Sequence, residues 1–305
     1  MELFRETRSE YLLNEVGSEN MSQSNIRLKS FDALKLFTIF FVLWGHSVQY
    51  FISGEYVDKP LYIYIYSFHM PLFMMVSGYF SLSSMYLSPV VFMKKKTVQL
   101  LLPWLTWGVI MVGGTFVYRF LHGYMMSFTE MVFMMVHNFW FLKSLFLCYL
   151  IAYWGKWFIS NVYLEVLVTM ILVQLVHYYN LPIMYPCFLI GMYLKSKDSQ
   201  WQKHSLVLFI LSLSVFLSLL LFWNKSFWDY IVFNFSSVFI KKDHYPIIYL
   251  YREVYRIFIG IVGSLSFIFL FYLLFERERQ SKILELCSKW GRYTLGIYVL
   301  QTIIL

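Results

Sequence analysis

The sequence predicts an all-α protein, a polytopic integral membrane bundle of nine to ten transmembrane helices. Hydrophobic residues make up 59% of its 305 residues and charged residues only 14%. Several apolar runs approach the ~20 residues that a helix needs to cross a hydrocarbon core. Aromatic residues reach 22%, which is more than two interfacial belts require, so many are expected in helix–helix contacts. The three cysteines are widely separated and indicate neither a disulfide framework nor a metal site.

The elements follow in order from the apolar runs. Residues 1–26 are polar, lack a signal-peptide pattern and are expected to form a cytoplasmic tail. Residues 27–305 are expected to form one membrane domain. Nine spans are predicted, at 31–52, 61–84, 97–118, 131–154, 161–179, 181–195, 204–223, 255–275 and 290–305. A further apolar run, 227–240, either crosses the membrane or re-enters from one side.

Positive charge predicts the orientation. Basic residues cluster in short loops between apolar runs, as topology determinants do. The net charge of +8 therefore does not indicate nucleic-acid binding. If these loops and the N-terminus lie in the cytoplasm, successive spans alternate consistently in direction, provided that 227–240 does not fully cross the membrane. Four basic residues then lie outside, which indicates either a site for an anionic acceptor or an error in this topology: Lys241, Lys242, Arg252 and Arg256.

The first predicted helix carries two ionisable residues on one face. His46 lies inside an apolar run, and Lys35 precedes it by eleven residues, which places them about 16 Å apart along the helix. Such groups are costly in a bilayer and usually face a cavity or reaction site. Asp32 can pair with Lys35. The pattern suits an extended anionic donor and a catalytic base. The alternative is a snorkelling lysine and a hydrogen-bonded structural histidine.

The second predicted helix brings another histidine to a similar depth. His69 and His46 lie near the outer ends of antiparallel neighbours, so both imidazoles are expected in the outer half of the bundle. Pro71 removes a backbone donor and leaves a carbonyl to be satisfied by neighbours or by a cavity. Two histidines near a helix break indicate a catalytic site. The alternative is that His69 only stabilises the break by bonding the freed carbonyl.

Further candidates for substrate binding lie elsewhere in the sequence. Lys95 and Lys96 precede a helix and can hold donor phosphates, although positive-inside anchoring explains them equally well. Lys143 lies deep in an apolar run, which predicts a buried anionic partner or ligand. Glu253 and Arg256 either form an i,i+3 pair or contact the acceptor. Signatures of soluble enzymes, such as a nucleotide-binding glycine loop or a nucleophile elbow, are absent from the sequence.

Five segments of the chain follow one another in a recognisable order: the run from Asp32 through Lys35 to His46, FHMPLFMMVSGYF at 68–80, the lysine segment ending in Pro103-Trp104, FWFL at 139–142, and GRYTLGIY at 291–298. Together they resemble the membrane-bound acyltransferase-3 family, in particular the branch similar to fucose 4-O-acetylases. The resemblance extends from residue 27 to the end of the sequence.

This resemblance implies an O-acyltransferase of the bacterial cytoplasmic membrane. Its donor would be acetyl-CoA, and its acceptor a sugar hydroxyl on a cell-surface or lipid-linked glycan, with no tightly bound cofactor or metal. In the family an arginine precedes the first-helix histidine by eleven residues. Here the histidine is His46 and the arginine is replaced by Lys35, which keeps the charge but lacks the bidentate fork. Family members often carry a late histidine where this chain has Gln301, so no role is assigned to that residue.

The resulting hypothesis gives each candidate a role. Lys35, with Lys95 and Lys96, holds the CoA end of the donor. His46 acts as a general base or as a transient acyl carrier, while His69 and Lys143 position the acyl carbonyl or the acceptor. A glycolipid or polysaccharide transporter is the main alternative, since it also needs buried charge, and a non-catalytic scaffold is a third. The sequence identifies neither the sugar nor the acyl group.

Overall fold

The computed structural model describes residues 29–51, 59–175, 180–223, 246–277 and 282–304. These residues are about 91% helical and contain no strand, so the prediction of an all-α protein is confirmed. The predicted N-terminal tail and the apolar run 227–240 lie outside the described residues.

Thirteen helices are described in chain order: α1 (Lys29–Phe51), α2 (Pro60–Tyr79), α3 (Pro89–Lys96), α4 (Leu102–Leu121), α5 (Phe128–His137), α6 (Trp140–Phe158), α7 (Val162–Leu175), α8 (Leu181–Ser196), α9 (Asp198–Lys203), α10 (Ser205–Leu221), α11 (Pro246–Arg277), α12 (Lys282–Trp290) and α13 (Thr294–Ile304). A π-helical turn, Thr97–Leu101, joins α3 to α4, and a 3₁₀ turn, Gly291–Tyr293, precedes α13. Proline stands in the first turn of α2, α3, α4 and α8, where its missing N–H has no intrahelical partner to lose.

Three described stretches are long and apolar enough to cross a membrane: Lys29–Phe51, Pro89–Leu121 and Tyr251–Phe275. A fourth is obtained if α5 and α6, which meet at an angle of 58°, are counted as one broken span. The predicted span 131–154 is therefore interrupted. Phe139 has φ of +53°, a left-handed backbone that no α-helix can continue through. The described ranges therefore do not confirm the predicted nine to ten spans.

Helix α2 lies at the centre of the described bundle, packed against α1, α8 and α11. Two glycines let the backbones of α2 and α8 touch. A Cβ at Gly78 would lie 2.0 Å from the Phe188 carbonyl oxygen, and a Cβ at Gly191 would lie 2.0 Å from that of Met75. Small residues of this kind permit the closest approach between membrane helices. They hold α2, and the histidine it carries, at a fixed position in the core.

Candidate active site

Two adjoining cavities lie in the core between α1, α2, α6 and α13. The first, here the histidine cavity, has a volume of about 360 Å³ and a wall rich in polar side chains: His46, Gln49, Tyr66, His69, His137, Asn138, Asn180, Arg256 and Gln301. The second, here the lysine cavity, has a volume of about 230 Å³ and combines two cations with apolar side chains: Lys35, Arg292, Phe73, Leu100, Phe141, Leu142 and Leu145.

Helices α1 and α13 both run from the lysine cavity to the histidine cavity. On α1, Lys35 lines the first and His46 the second; on α13 and the turn before it, Arg292 lines the first and Gln301 the second. The predicted face of α1 that carries Lys35 and His46 therefore borders both cavities. The packing of Gly291 against α1 positions the next residue, Arg292. A Cβ at Gly291 would lie 1.7 Å from the Asp32 carbonyl oxygen, so only glycine lets the two backbones approach this closely.

The predicted pair at the start of α1 is present. The Nζ atom of Lys35 lies 3.3 Å from Oδ1 of Asp32, whose side chain is buried. The same ammonium group lies 4.5 Å from the centre of the Phe80 ring. Asp32 itself lines neither cavity, and its described ion pair is with Lys35.

The imidazole of His46 is oriented by one amide. Its Nδ1 atom lies 3.3 Å from Oε1 of Gln49, which also accepts a hydrogen bond of 3.3 Å from the Tyr66 hydroxyl. A carbonyl oxygen can only accept, so Nδ1 carries the proton in the neutral ring, and Nε2 is left with a lone pair. His46 is half-buried and lines the histidine cavity.

His69 is oriented in the same way but by the backbone. Its Nδ1 atom donates to the Ile65 carbonyl at 2.7 Å, which again leaves Nε2 with a lone pair, and its ring meets that of Tyr66 edge-on. Pro71 deprives a different carbonyl, that of Ser67, of its helical donor. His69 therefore does not bond the carbonyl that this proline frees. While neutral, it presents an acceptor rather than a donor to the histidine cavity.

Arg256 reaches the histidine cavity because α11 packs tightly on α2. A Cβ at Gly260 would lie 2.7 Å from Cγ of Pro71, so only glycine allows the two helices this separation. Arg256 lies one turn before Gly260 and lines the cavity. Glu253, the other candidate on this helix, is buried but lines neither cavity.

The cavity wall also contains two strained backbone positions. Phe139 and Asn180 have φ values of +53° and +55°, and they are the described non-glycine residues with positive φ. Each precedes a helix, α6 and α8 respectively, and each lines the histidine cavity. Left-handed backbone at such residues costs about 1–3 kcal/mol and is concentrated at functional sites.

Gln301 lines the histidine cavity, and the oxygen of its side chain accepts no hydrogen bond from the described residues. The side chain is buried, and Oε1 has no hydrogen-bond partner among the described residues. An unpaired buried carbonyl costs about 1–3 kcal/mol. Because the residue also lines the cavity, a donor group on a bound molecule would satisfy it.

The remaining lysine candidates lie outside both cavities. Lys143 donates a hydrogen bond to the Val136 carbonyl and so holds α6 against the end of α5. Lys95 is exposed, whereas Lys96 is buried with its Nζ atom 3.6 Å from the centre of the Tyr149 ring. The Tyr149 hydroxyl donates to the carbonyl of Ser77, a residue of the lysine cavity. Lys96 thus lies behind the wall of that cavity.

Sequence reasoning missed several residues of these walls: Gln49, His137, Asn138, Asn180, Arg292, Tyr298 and Gln301. A polar residue in an otherwise apolar final run was a usable signal for Gln301. Asn180 and Asn138 lie beside helix ends, and hydrophobic periodicity in the sequence does not define where those ends fall. Within the described ranges, His, Cys, Asp and Glu side chains form no group of three that would suit a metal ion.

Comparison with known proteins assigns the chain to a family. A family model described as "Acyltransferase domain", of the acyltransferase-3 type, matches residues 28–305. The chain is 39% identical over 88 residues to nodulation protein NolL of Mesorhizobium japonicum, an alignment that covers 28% of this chain and 24% of that protein. It therefore spans about a quarter of the length of the relative it matches. No solved structure matches significantly. The match over nearly the whole sequence confirms the predicted family: this chain belongs to the membrane-bound acyltransferase-3 family.

Proposed function

We propose that this protein moves an acetyl group from acetyl-CoA to a sugar hydroxyl of a cell-surface or lipid-linked glycan, as a member of the fucose 4-O-acetylase-like branch. The observation that carries this proposal is the pairing of the two cavities. One contains the cations of Lys35 and Arg292, which suit an anionic molecule, and the other contains the imidazoles of His46 and His69. Membership of an acyltransferase family supplies the reaction class.

The proposal places nine to ten helices in the bacterial cytoplasmic membrane, with the N-terminus and the lysine cavity on the cytoplasmic side. The outward faces of α4, α7 and α10 support a lipid environment, because they expose apolar side chains such as Val109, Leu167 and Leu211. The lysine-rich end of α3 supports the orientation. Lys96 lies behind the lysine cavity, and basic residues concentrate on the cytoplasmic side of membrane proteins.

The lysine cavity suits the donor. Lys35 and Arg292 would bind the phosphates of acetyl-CoA, and Lys95 with Lys96 would attract this anion to the cavity mouth. Arg292 adds the planar guanidinium that Lys35 does not provide. The pantetheine arm would lie against Phe141, Leu142 and Leu145 and bring the thioester toward the histidine cavity.

The histidine cavity suits the acceptor and the chemistry. The acceptor hydroxyl would give its proton to Nε2 of His46 while its oxygen bonds to the acyl carbon. The carbon–sulfur bond then breaks, and the proton passes from the imidazolium to the CoA thiolate. His69, whose Nε2 is also an acceptor, would accept a hydrogen bond from a neighbouring hydroxyl of the sugar and so orient the acceptor. N–H donors for the developing oxyanion are present on the same wall, on Asn138, Asn180, Arg256 and Gln301.

The three remaining substrate-binding candidates act indirectly in this scheme. Asp32 fixes the ammonium group of Lys35. Glu253 lies one turn from Arg256 on α11 and supports that region from within the core. Lys143 holds the break between α5 and α6, where Asn138 and Phe139 enter the cavity wall, and so positions the acceptor side of the site.

Donor dependence tests this function against a transporter. Membranes from cells with and without the chain are incubated with acetyl-CoA labelled in the acetyl group, and alkali-labile label is measured in the glycan fraction. We expect label only when the chain is present. Glycan that moves across the membrane without gaining acetyl would establish transport instead. Label that remains on the protein when acetyl-CoA is supplied alone would make His46 an acyl carrier rather than a base.

A further inference from the structure

The two cavities share a wall that two described residues form. Met70 on α2 and Tyr298 on α13 each line both cavities, and each is 9% exposed. A side chain that lines two neighbouring cavities lies between them. A group that passes directly from the lysine cavity to His69, the residue next to Met70, passes these two side chains.

The wall that Met70 and Tyr298 form between the cavities is here called the septum. Its Tyr298 side is rigid. The ring of Tyr298 meets those of Phe139 and Phe141 at centroid distances of 6.3 and 5.8 Å, both edge-on. Aromatic contacts of this geometry add to the packing of the ring and hold its orientation. The position of Phe139 is itself fixed by its left-handed backbone at the start of α6.

The other side is adjustable. The backbone of Met70 is held by the next residue, Pro71, which packs against Gly260 of α11. Its side chain, however, is unbranched and has three rotatable bonds, so it adapts to the shape of a neighbouring group. The septum thus combines a fixed aromatic plane with a flexible thioether.

On the lysine side, the septum is approached by an apolar wall that includes Phe73 and Phe141. This wall suits the acyl end of a thioester donor, and it leaves the septum as the end of the space available to the acyl chain. Added methylenes would have to displace Met70 or Tyr298.

We propose that Met70 and Tyr298 form an acyl-length filter that admits an acetyl group and excludes longer acyl chains. The inference rests on the proposed use of acetyl-CoA, and it names the residues that select this donor. A short acyl group fits between the two side chains and presents its carbonyl to the histidine cavity. A butyryl group meets them before its carbonyl arrives.

Binding to the purified full-length protein in detergent tests the filter without the acceptor. Dissociation constants are measured by calorimetry for CoA, acetyl-CoA and butyryl-CoA. Apolar sites discriminate a single methylene by about 10- to 200-fold, so the wild type is expected to bind butyryl-CoA at least about tenfold more weakly than acetyl-CoA. Met70→Ala removes most of the thioether side chain and is expected to bring the two constants together.

A matched control and a second opening variant complete the test. Met74→Ala alters another buried methionine of α2, one that lines neither cavity, and is expected to keep the preference for acetyl-CoA. Tyr298→Leu opens the septum from its other side and is expected to weaken the preference as Met70→Ala does. Thermal melting shows which variants are folded.

The outcomes separate the filter from the proposed function. Equal binding of acetyl-CoA and butyryl-CoA by the wild type would overturn the filter, as would an unchanged preference in both opening variants. The same loss of preference in Met74→Ala would also overturn it. If neither CoA nor acetyl-CoA binds the wild type, the proposed donor is wrong, and the filter falls with it.

Discussion

Replacing Gln49 by leucine tests whether the orientation of His46 matters for transfer. The substitution keeps the size of the side chain but removes the oxygen that lies 3.3 Å from Nδ1 of His46. A neutral hydrogen bond contributes about 0.5–1.5 kcal/mol net. At 1.36 kcal/mol per tenfold change in rate, transfer should slow by about two- to twelvefold. The initial rate of label transfer from acetyl-CoA to glycan, in membranes with matched protein levels, measures this change.

Two companion variants determine whether Gln49 acts through His46. Gln49→Glu keeps an oxygen acceptor at the same position and should transfer acetyl faster than Gln49→Leu. Tyr66→Phe removes the other hydrogen bond to Oε1 of Gln49 but leaves the one to His46, so it should slow transfer less than Gln49→Leu does. Equal rates in Gln49→Glu and Gln49→Leu would refute the reasoning. They would show that Gln49 contributes to transfer by another route.

Three further predictions concern the donor and the packing of the site. Lys35→Ala should raise the KM for acetyl-CoA by about 10- to 150-fold. This range is the equivalent of the 1.5–3 kcal/mol that hydrogen bonds to charged groups contribute. The control Lys29→Ala, on the exposed start of the same helix, should leave the KM unchanged. Gly260→Ala should lower the unfolding free energy by about 1–3 kcal/mol through overpacking, seen as a lower Tm in detergent; an unchanged Tm would show that α11 relaxes freely. Lys143→Met should lower the Tm by removing a donor to the Val136 carbonyl, and a large rise in the KM for acetyl-CoA with no change in Tm would instead make this lysine a donor ligand.

The presence of His46 and His69 in one cavity was predictable from the sequence because it depends only on how deep each residue lies in the helix bundle. Counting residues from the ends of two antiparallel apolar runs places both at one level, and the structure brings both to one cavity. The contact between Asp32 and Lys35 was predictable for a similar reason, since a spacing of three residues fixes it within one helix. Local geometry along single helices therefore gave the central part of the candidate site.

The rest of the site depends on contacts that helical periodicity does not contain. The break at Phe139 lies in an apolar run that reads as one span, yet it places Lys143 within hydrogen-bonding distance of the Val136 carbonyl at the end of α5. Arg292 reaches the lysine cavity only because Gly291 packs against the backbone of α1. In the same way, Arg256 reaches the histidine cavity only because Gly260 packs against Pro71. Such tertiary contacts decide which polar side chains converge.

The most direct test of the account compares glycans by mass spectrometry from cells that carry the wild type, His46→Ala, His122→Ala or no copy of the chain. His122 is the control, because its Nδ1 atom is likewise hydrogen-bonded, in this case to the carbonyl of Tyr118 at 2.8 Å, but it is exposed and lines neither cavity. We expect an acetyl mass increment with the wild type and His122→Ala, and none with His46→Ala at equal expression. An acetyl increment that persists in His46→Ala would contradict the central claim that this imidazole carries the transfer.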